Sequence, residues 1–277
     1  MPDILVPAEK QNNQFILYGN LKSVWVEVCV PQGFKAGRYE VEVNFKSVPV
    51  FNSTEEVNVA ERMYIDVIGV DLPKQKLAVT QWFHTDCIAT AHNVPIYSEE
   101  HWTLIDSYIK TAVKLGINMI LTPVITPPLD TGYGNLRPCV QLVKIEKIGD
   151  KYEFDFTKLK RFVDICKKNG VEYYEISHLF SQWGLAYAPN IMVKEGDREY
   201  YKFGWDVPST SPEYKNFLEQ LLPALVKELK DYGVFDRCNF HLSDEPQTQH
   251  LENYKYAHDI VKPLIDGRPI MDALSNI

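Results

Sequence analysis

Apolar and polar residues alternate along the first 75 positions of the chain. Val24, Val26, Val28 and Val30 fall on one side of the stretch 23–30, and positions 39–45 repeat this alternation after a turn-rich connection. Positions 56–70 predict one or two further strands. Strict alternation is typical of antiparallel strands with one solvated face. We therefore predict a small antiparallel β-sandwich-like accessory domain over residues 1–75, without a catalytic group.

The periodicity changes from residue 76 onward, where short apolar segments alternate with helical patterns. Strands are predicted near residues 77, 118, 171, 237 and 269, with a helix between each pair and an additional strand pair over 140–154. This alternation predicts an α/β fold with a mainly parallel sheet and right-handed crossovers.

Two α/β architectures fit this order of elements, an open doubly wound sheet and a (β/α)8 TIM-type barrel. The glycine-rich motif of dinucleotide-binding folds does not follow the first strand, so that fold has no support. A barrel needs eight strands, and only five are visible. We predict that residues 76–277 form the N-terminal part of a (β/α)8 barrel catalytic domain, which is incomplete in this chain.

Two segments predict irregularities within this second domain. The connection 179–210 is longer than most loops, which indicates a functional loop or an additional short helix. The helix predicted over 211–232 contains Pro223, and an internal proline predicts a kink or a break there.

Composition and charge narrow the class of partner. The net charge of −8 argues against nucleic acid or an anionic membrane surface, and it leaves a neutral ligand such as a sugar open. The five cysteines are scattered without a closely spaced pair, so no zinc site and no disulfide framework are expected. No signal peptide or membrane span is visible. This pattern fits a cytoplasmic protein, and an extracellular or periplasmic one if the chain is processed or trimmed.

The strongest chemical signal is the run from Asn239 to Pro246, in which an apolar strand ends at two adjacent acids, Asp244 and Glu245. Proline cannot continue a central strand, so the acids are expected at the carboxyl end of the strand, where α/β enzymes place their chemistry. Two neighbouring carboxylates repel each other, and the pKa of at least one should rise. Glycoside hydrolysis needs one carboxyl group that donates a proton and one that stays charged. A solvated acidic turn is the alternative.

Other candidates lie near predicted strand ends and in loops. Trp residues suit stacking on a sugar ring, while His, Asn and Asp suit hydrogen bonds to hydroxyl groups. His84 and Asp86 are spaced like metal ligands, but no third ligand can be placed, so no metal is predicted. The predicted substrate-binding residues are Trp82, His84, Asp86, Asn135, His178, Trp183, Trp205 and Asp272.

Three stretches, taken in order, resemble glycoside hydrolase family 123, the β-N-acetylgalactosaminidases, and the wider group of bacterial proteins that share their catalytic domain. These stretches are QWFHTDC at 81–87, FDF at 154–156 before a helix, and HLSDEP at 241–246. The order of a β-sandwich followed by a barrel is also similar. The resemblance spans nearly the whole chain and covers the front part of the family's catalytic domain.

This resemblance implies a division of labour between the two acids. Glu245 would be the general acid/base, and Asp244 would orient the 2-acetamido group of the substrate. The acetamido oxygen would attack the anomeric carbon and form an oxazolinium intermediate with retention of configuration, which differs from mechanisms with an enzymic nucleophile. The expected partner is a glycan or glycolipid with a terminal N-acetylhexosamine, and no cofactor is implied.

Two other functions fit the residues. One is a retaining glycosidase of the commoner kind, with Glu245 as acid/base and a nucleophile on a strand outside this chain. The other is a carbohydrate-binding barrel without activity.

Overall fold

The computed structural model describes residues 7–14, 23–47 and 56–273, and the chain separates into two compact units, Met1–Lys76 and Leu77–Ile277. In the first unit, strands β1 (Gly37–Ser47) and β2 (Val57–Val67) form an antiparallel pair in which Gly37 lies opposite Val67. A short 3-10 turn covers Ala8–Gln11. The predicted sandwich stays a prediction, because positions 1–6, 15–22 and 48–55 lie outside the described residues.

The strand predicted over 23–30 does not form. The backbone of this stretch is irregular, and its four valines are 43–48% exposed. Alternation indicates which side chains share a face, but a strand also needs a neighbour that pairs with its N–H and C=O groups. Alternation of apolar and polar residues was therefore not sufficient to predict a strand here.

The second unit is mixed α/β. In chain order it contains β3 (Thr80–Gln81), α1 (Thr85–His92), α2 (Glu99–Lys114), β4 (Met119–Thr122), β5 (Lys144–Ile148), β6 (Lys151–Asp155), α3 (Thr157–Asn169), β7 (Tyr173–Ile176), β8 (Ile191–Glu195), β9 (Arg198–Phe203), α4 (Pro212–Asp231), β10 (Cys238–His241), α5 (Leu251–Val261) and β11 (Ile270–Met271). Short 3-10 turns occupy Phe235–Arg237, Thr248–His250 and Lys262–Leu264. Among the described residues, no helix is both long and apolar enough to cross a membrane.

Five strands form one parallel sheet in the order β11-β10-β7-β4-β3. Each strand lies beside its predecessor along the chain, without the reversal of order that defines a doubly wound sheet. Side chains at Thr80 and Trp82 contact Glu175 on β7, although β4 lies between these strands. Contacts across an intervening strand require a concave face, so the sheet is curled into a half-barrel. The complete eight-stranded barrel stays a prediction.

The helices of this unit pack into the core through apolar residues at helical spacing. In α3, Leu159, Phe162, Val163 and Cys166 are buried, and Gly170 ends the helix with a φ of 89°. Helix α4 runs through Pro223 without interruption, so the predicted break does not occur. Leucines buried on both sides of the proline hold the helix against the core and outweigh the one hydrogen bond that proline cannot make.

The connection 179–210 contains a β-hairpin instead of the predicted loop or short helix. Strands β8 and β9 join the predicted pair β5 and β6 in a four-stranded sheet of order β6-β5-β8-β9. Burial alternates along β8: Ile191 and Val193 are buried, and Met192 and Lys194 are less so. Gly196, with a φ of 59°, lies in the turn between the strands. The sequence signal for a hairpin was thus present but was read as irregular structure.

Candidate active site

The segment after β10 is fixed by the loop that follows β7. Phe180 donates its backbone N–H to the carbonyl oxygen of Leu242 at 2.8 Å, and Trp183 donates to the carbonyl oxygen of Asp244 at 3.1 Å. The Ser243 hydroxyl donates to a backbone carbonyl of the same loop at 2.8 Å. These bonds continue the pairing beyond β10 and hold the two acids at the carboxyl end of the parallel sheet.

Asp244 and Glu245 lie in different environments although they are adjacent. Asp244 is only 7% exposed, and its buried Oδ1 has no hydrogen-bond partner among the described residues. Burial, followed by the charge of Glu245, raises the pKa of Asp244 to about 6. Glu245 is exposed and has a φ of 48°, a left-handed conformation that is uncommon for a residue with a side chain. The rise in pKa expected from two adjacent acids is therefore found at Asp244.

A buried carboxylate on β7, Glu175, is the centre of a network that the sequence interpretation missed. Glu175 is fully buried and accepts hydrogen bonds from the Thr80 hydroxyl and from Trp82 Nε1, the latter at 2.9 Å. His241 Nε2 lies 2.6 Å from Glu175 Oε1. Burial acts to raise the pKa of Glu175, but the adjacent His241 and the hydrogen bonds from Thr80 and Trp82 outweigh it and hold the pKa below its usual value.

A signal for Glu175 was present in the sequence. The residue interrupts the strand Tyr173–Ile176, whose other positions are aromatic or apolar. A charged residue in a central strand is rarely fully buried unless it is paired. Its partners, however, come from distant positions on both sides of it in the chain, so the strand alone did not reveal them.

His178, at the end of β7, lies against this network. Its ring stacks on His241 with centroids 4.2 Å apart and meets Trp82 edge-on at 5.4 Å. His178 is fully buried, and neither ring nitrogen has a hydrogen-bond partner among the described residues. Burial, followed by the charges of His241 and His84, lowers the pKa of His178 well below its usual value. It is therefore a neutral imidazole with two nitrogens free to bind a polar ligand.

Asp272 completes the group from the end of β11. Its Oδ1 lies 4.0 Å from His241 Nδ1, and its side chain is 5% exposed. Burial raises the pKa of Asp272 to about 7, against the lowering effect of the His241 charge. The structure thus brings together three predicted site residues, Trp82, His178 and Asp272.

His84 and Asp86 lie at the start of α1, a helix that was not predicted. Both oxygens of Asp86 accept from Arg137, at 3.0 and 3.1 Å, and this pair is almost completely buried. His84 Nε2 lies 3.4 Å from Asp130 Oδ2, and burial followed by Arg137 lowers the pKa of His84. The Asp86 carboxylate therefore anchors the 129–138 loop, and its predicted contact with a sugar stays a prediction.

The remaining loop candidates form a separate aromatic group. Trp205 Nε1 donates to the backbone oxygen of Asn135 at 2.8 Å, so Asn135 contributes its main chain to this contact. Tyr133 lies 5.6 Å from Trp205 and 5.2 Å from Tyr187, measured between ring centroids. Trp183 is 58% exposed beside Asp244, to which its backbone is bonded. Their contact with substrate stays a prediction.

No group of three or more His, Cys, Asp and Glu side chains that could hold a metal ion occurs within residues 7–14, 23–47 and 56–273.

A curled parallel sheet with two acids at the carboxyl end of its fourth strand is an arrangement typical of barrel-type glycoside hydrolases. The model of the catalytic domain of glycoside hydrolase 123 matches residues 82–277. The chain belongs to this family, and the resemblance found in the sequence is confirmed.

A similar solved structure is a family 123 glycoside hydrolase from Clostridium perfringens, described in a study of glycolipid glycan hydrolysis. It superimposes with a TM-score of 0.65 at 14% identity and covers 88% of this chain. The chain spans 42% of the length of that structure. At this identity the likeness concerns the fold alone. No protein with a curated description matches the chain.

Proposed function

We propose that this domain takes part in the hydrolysis of β-linked N-acetylhexosamine, preferentially N-acetylgalactosamine, from a glycan or glycolipid. Family membership over residues 82–277 supports glycoside hydrolysis as the reaction class. The observation that carries the proposal is the contrast between buried Asp244 and exposed Glu245 at the end of β10. Two adjacent acids in different environments can take different protonation states at the same pH. Burial by itself favours the protonated form of Asp244, so the roles proposed below, with Asp244 charged and Glu245 as the proton donor, follow the family resemblance and require a pH above about 6.

In the proposed reaction, the acetamido oxygen of the substrate attacks the anomeric carbon. Glu245 gives its proton to the glycosidic oxygen as the bond from that oxygen to the anomeric carbon breaks. The Asp244 carboxylate accepts a hydrogen bond from the acetamido N–H and stabilises the positive oxazolinium ion. Water then attacks the anomeric carbon, Glu245 takes its proton, and the configuration is retained.

The buried aromatic and imidazole groups fit the sugar pocket of this proposal. The Trp82 ring offers an apolar face, and the free nitrogens of His178 offer hydrogen bonds to hydroxyl groups. A complete (β/α)8 barrel would place further residues around the sugar.

The direct test is release of p-nitrophenol from p-nitrophenyl β-N-acetylgalactosaminide and from its glucosamine epimer. We expect turnover in the parent, a loss of at least about 1,000-fold in Glu245→Gln, and a strong decrease in Asp244→Asn. Activity should also fall below about pH 6, because Asp244 is then protonated and its pKa is raised to about 6. Full activity in either variant would remove the proposed mechanism.

An inhibitor that mimics the oxazoline separates this mechanism from the commoner retaining one. Tight binding is expected only if the acetamido group of the substrate is the nucleophile. Turnover without such binding would instead favour an enzymic nucleophile outside this chain. Sugar binding that is retained in Glu245→Gln, in a parent without turnover, would favour a binding protein.

A further inference from the structure

Glu175 is contacted by three polar groups that come from two other strands of the half-barrel. Thr80 and Trp82 belong to β3 and its end, while His241 belongs to β10. A buried carboxylate needs several polar partners to compensate for its lost hydration. Here one side chain sets the position of a Trp and a His that both belong to the candidate site.

His241 is the direct connection between Glu175 and the reacting group. It lies three residues before Asp244 on the same strand and its extension, and its other ring nitrogen is 4.0 Å from Asp272. His178 stacks on its face. Because Nε2 lies 2.6 Å from the Glu175 carboxylate, the carboxylate requires a proton on Nε2 and leaves Nδ1 toward Asp272.

We propose that Glu175 is a positioning residue of the active site. It fixes the orientation of His241, holds the Trp82 ring in place, and so keeps Asp244 in the form that the reaction uses. This inference rests on the proposed function of Asp244. Nothing in the family match or in the structural neighbour assigns a role to Glu175.

The electrostatic part of the proposal follows from the surroundings of each group. The Glu175 carboxylate lies 2.6 Å from the His241 imidazole and so fixes its position, and the charge of His241 lowers the pKa of Asp244. Opposing it are burial and the negative charges of Glu245 and Asp130. Asp272 also faces His241 from the end of β11. His178, whose pKa is lowered, is neutral and stacks on the His241 ring. If a Glu175 variant releases His241 from its position near Asp244, the pKa of Asp244 loses this lowering effect, and the ionisation of Asp244 should shift to higher pH.

The informative substitution is Glu175→Gln. Glutamine keeps the size of the side chain and one oxygen that accepts from Trp82 and His241, but it removes the negative charge. We expect kcat to fall about 10- to 100-fold, as for other residues that orient a functional histidine, with a smaller change in KM. We also expect the acidic limb of the pH profile of kcat/KM to move to higher pH. The matched control is Glu146→Gln, a substitution on β5 in the other sheet, which should leave both quantities unchanged.

A second measurement does not depend on turnover. In the parent, nitrogen-15 and proton spectra should show His241 protonated at Nε2, with an N–H resonance shifted downfield by the carboxylate, and His241→Gln identifies this signal. In Glu175→Gln the resonance should move upfield. A parent in which Nε2 carries no proton would overturn the proposal even if Glu175→Gln fails to fold. An unchanged pH profile and unchanged kcat in a folded Glu175→Gln variant would also overturn it. If the parent shows no turnover, the proposed function fails, while the His241 resonance still tests the role of Glu175.

Discussion

Replacement of Asp244 by asparagine should stabilise the protein at neutral pH while it impairs the proposed reaction. The pKa of Asp244 is raised from 3.8 to about 6 in the folded state, mainly because the carboxyl group is buried. A raised acid pKa means that folding disfavours the charged form. An asparagine side chain at this position cannot ionise, so the folded variant would not carry this cost.

The sign and the pH range follow from the two pKa values. Below the unfolded value of 3.8 the carboxyl group is protonated in both states, and the parent has no penalty. As the pH rises toward 6, the unfolded chain releases its proton while the folded chain retains it, so the parent loses stability. The loss of stability is complete once the pH exceeds the folded-state pKa of about 6, and it stays constant at higher pH.

The magnitude follows from the difference between these values. A pKa difference of one between the folded and unfolded states corresponds to about 1.4 kcal/mol of stability. The change in the pKa of Asp244 from 3.8 to about 6 therefore corresponds to about 3 kcal/mol. Solvent on the open side of the site screens part of this cost, and we expect about 2 kcal/mol for Asp244→Asn. The gain should exceed the effect of most surface substitutions, which is about 0.5 kcal/mol or less.

Thermal and urea unfolding at about pH 4 and about pH 8, followed by tryptophan fluorescence, provide the assay. Four of the five tryptophans lie in the unit Leu77–Ile277, so the signal reports mainly on the unit that contains the site. Asp197→Asn, in the exposed turn of the β8–β9 hairpin, is the matched control and should change little at either pH. An Asp244→Asn variant that is less stable than the parent at pH 8, or whose advantage is equal at both pH values, would refute the reasoning.

Two further substitutions test the loops around the site. Arg137→Met should destabilise the protein by about 3–5 kcal/mol, because it leaves the buried Asp86 carboxylate without its partner. A melting temperature equal to that of the parent would contradict this prediction. The double variant Arg137→Met, Asp86→Asn should recover part of the lost stability. Gly204→Ala should lower the free energy of unfolding by about 1–3 kcal/mol, because the added Cβ would lie 2.5 Å from Asn190 Oδ1. Thermal unfolding measures this loss, and an unchanged melting temperature would show that Asn190 moves away freely.

Much of the second unit could be predicted from local patterns. Apolar spacing located α3 and the strand pair β5 and β6. Helix α1 was missed because it is only eight residues long and follows directly on a predicted strand end. Short elements of this kind depend on tertiary packing more than on propensity.

The sequence by itself determined the order of strands and helices, the family, and the placement of Asp244 and Glu245 at a strand end, because each depends on residues that are close in the chain. Only the tertiary structure decided which distant groups meet. The curl of the sheet brings Thr80 and Trp82 to Glu175, and the sheet order puts His241 beside it. Such contacts depend on strand neighbours and curvature, which no local periodicity encodes.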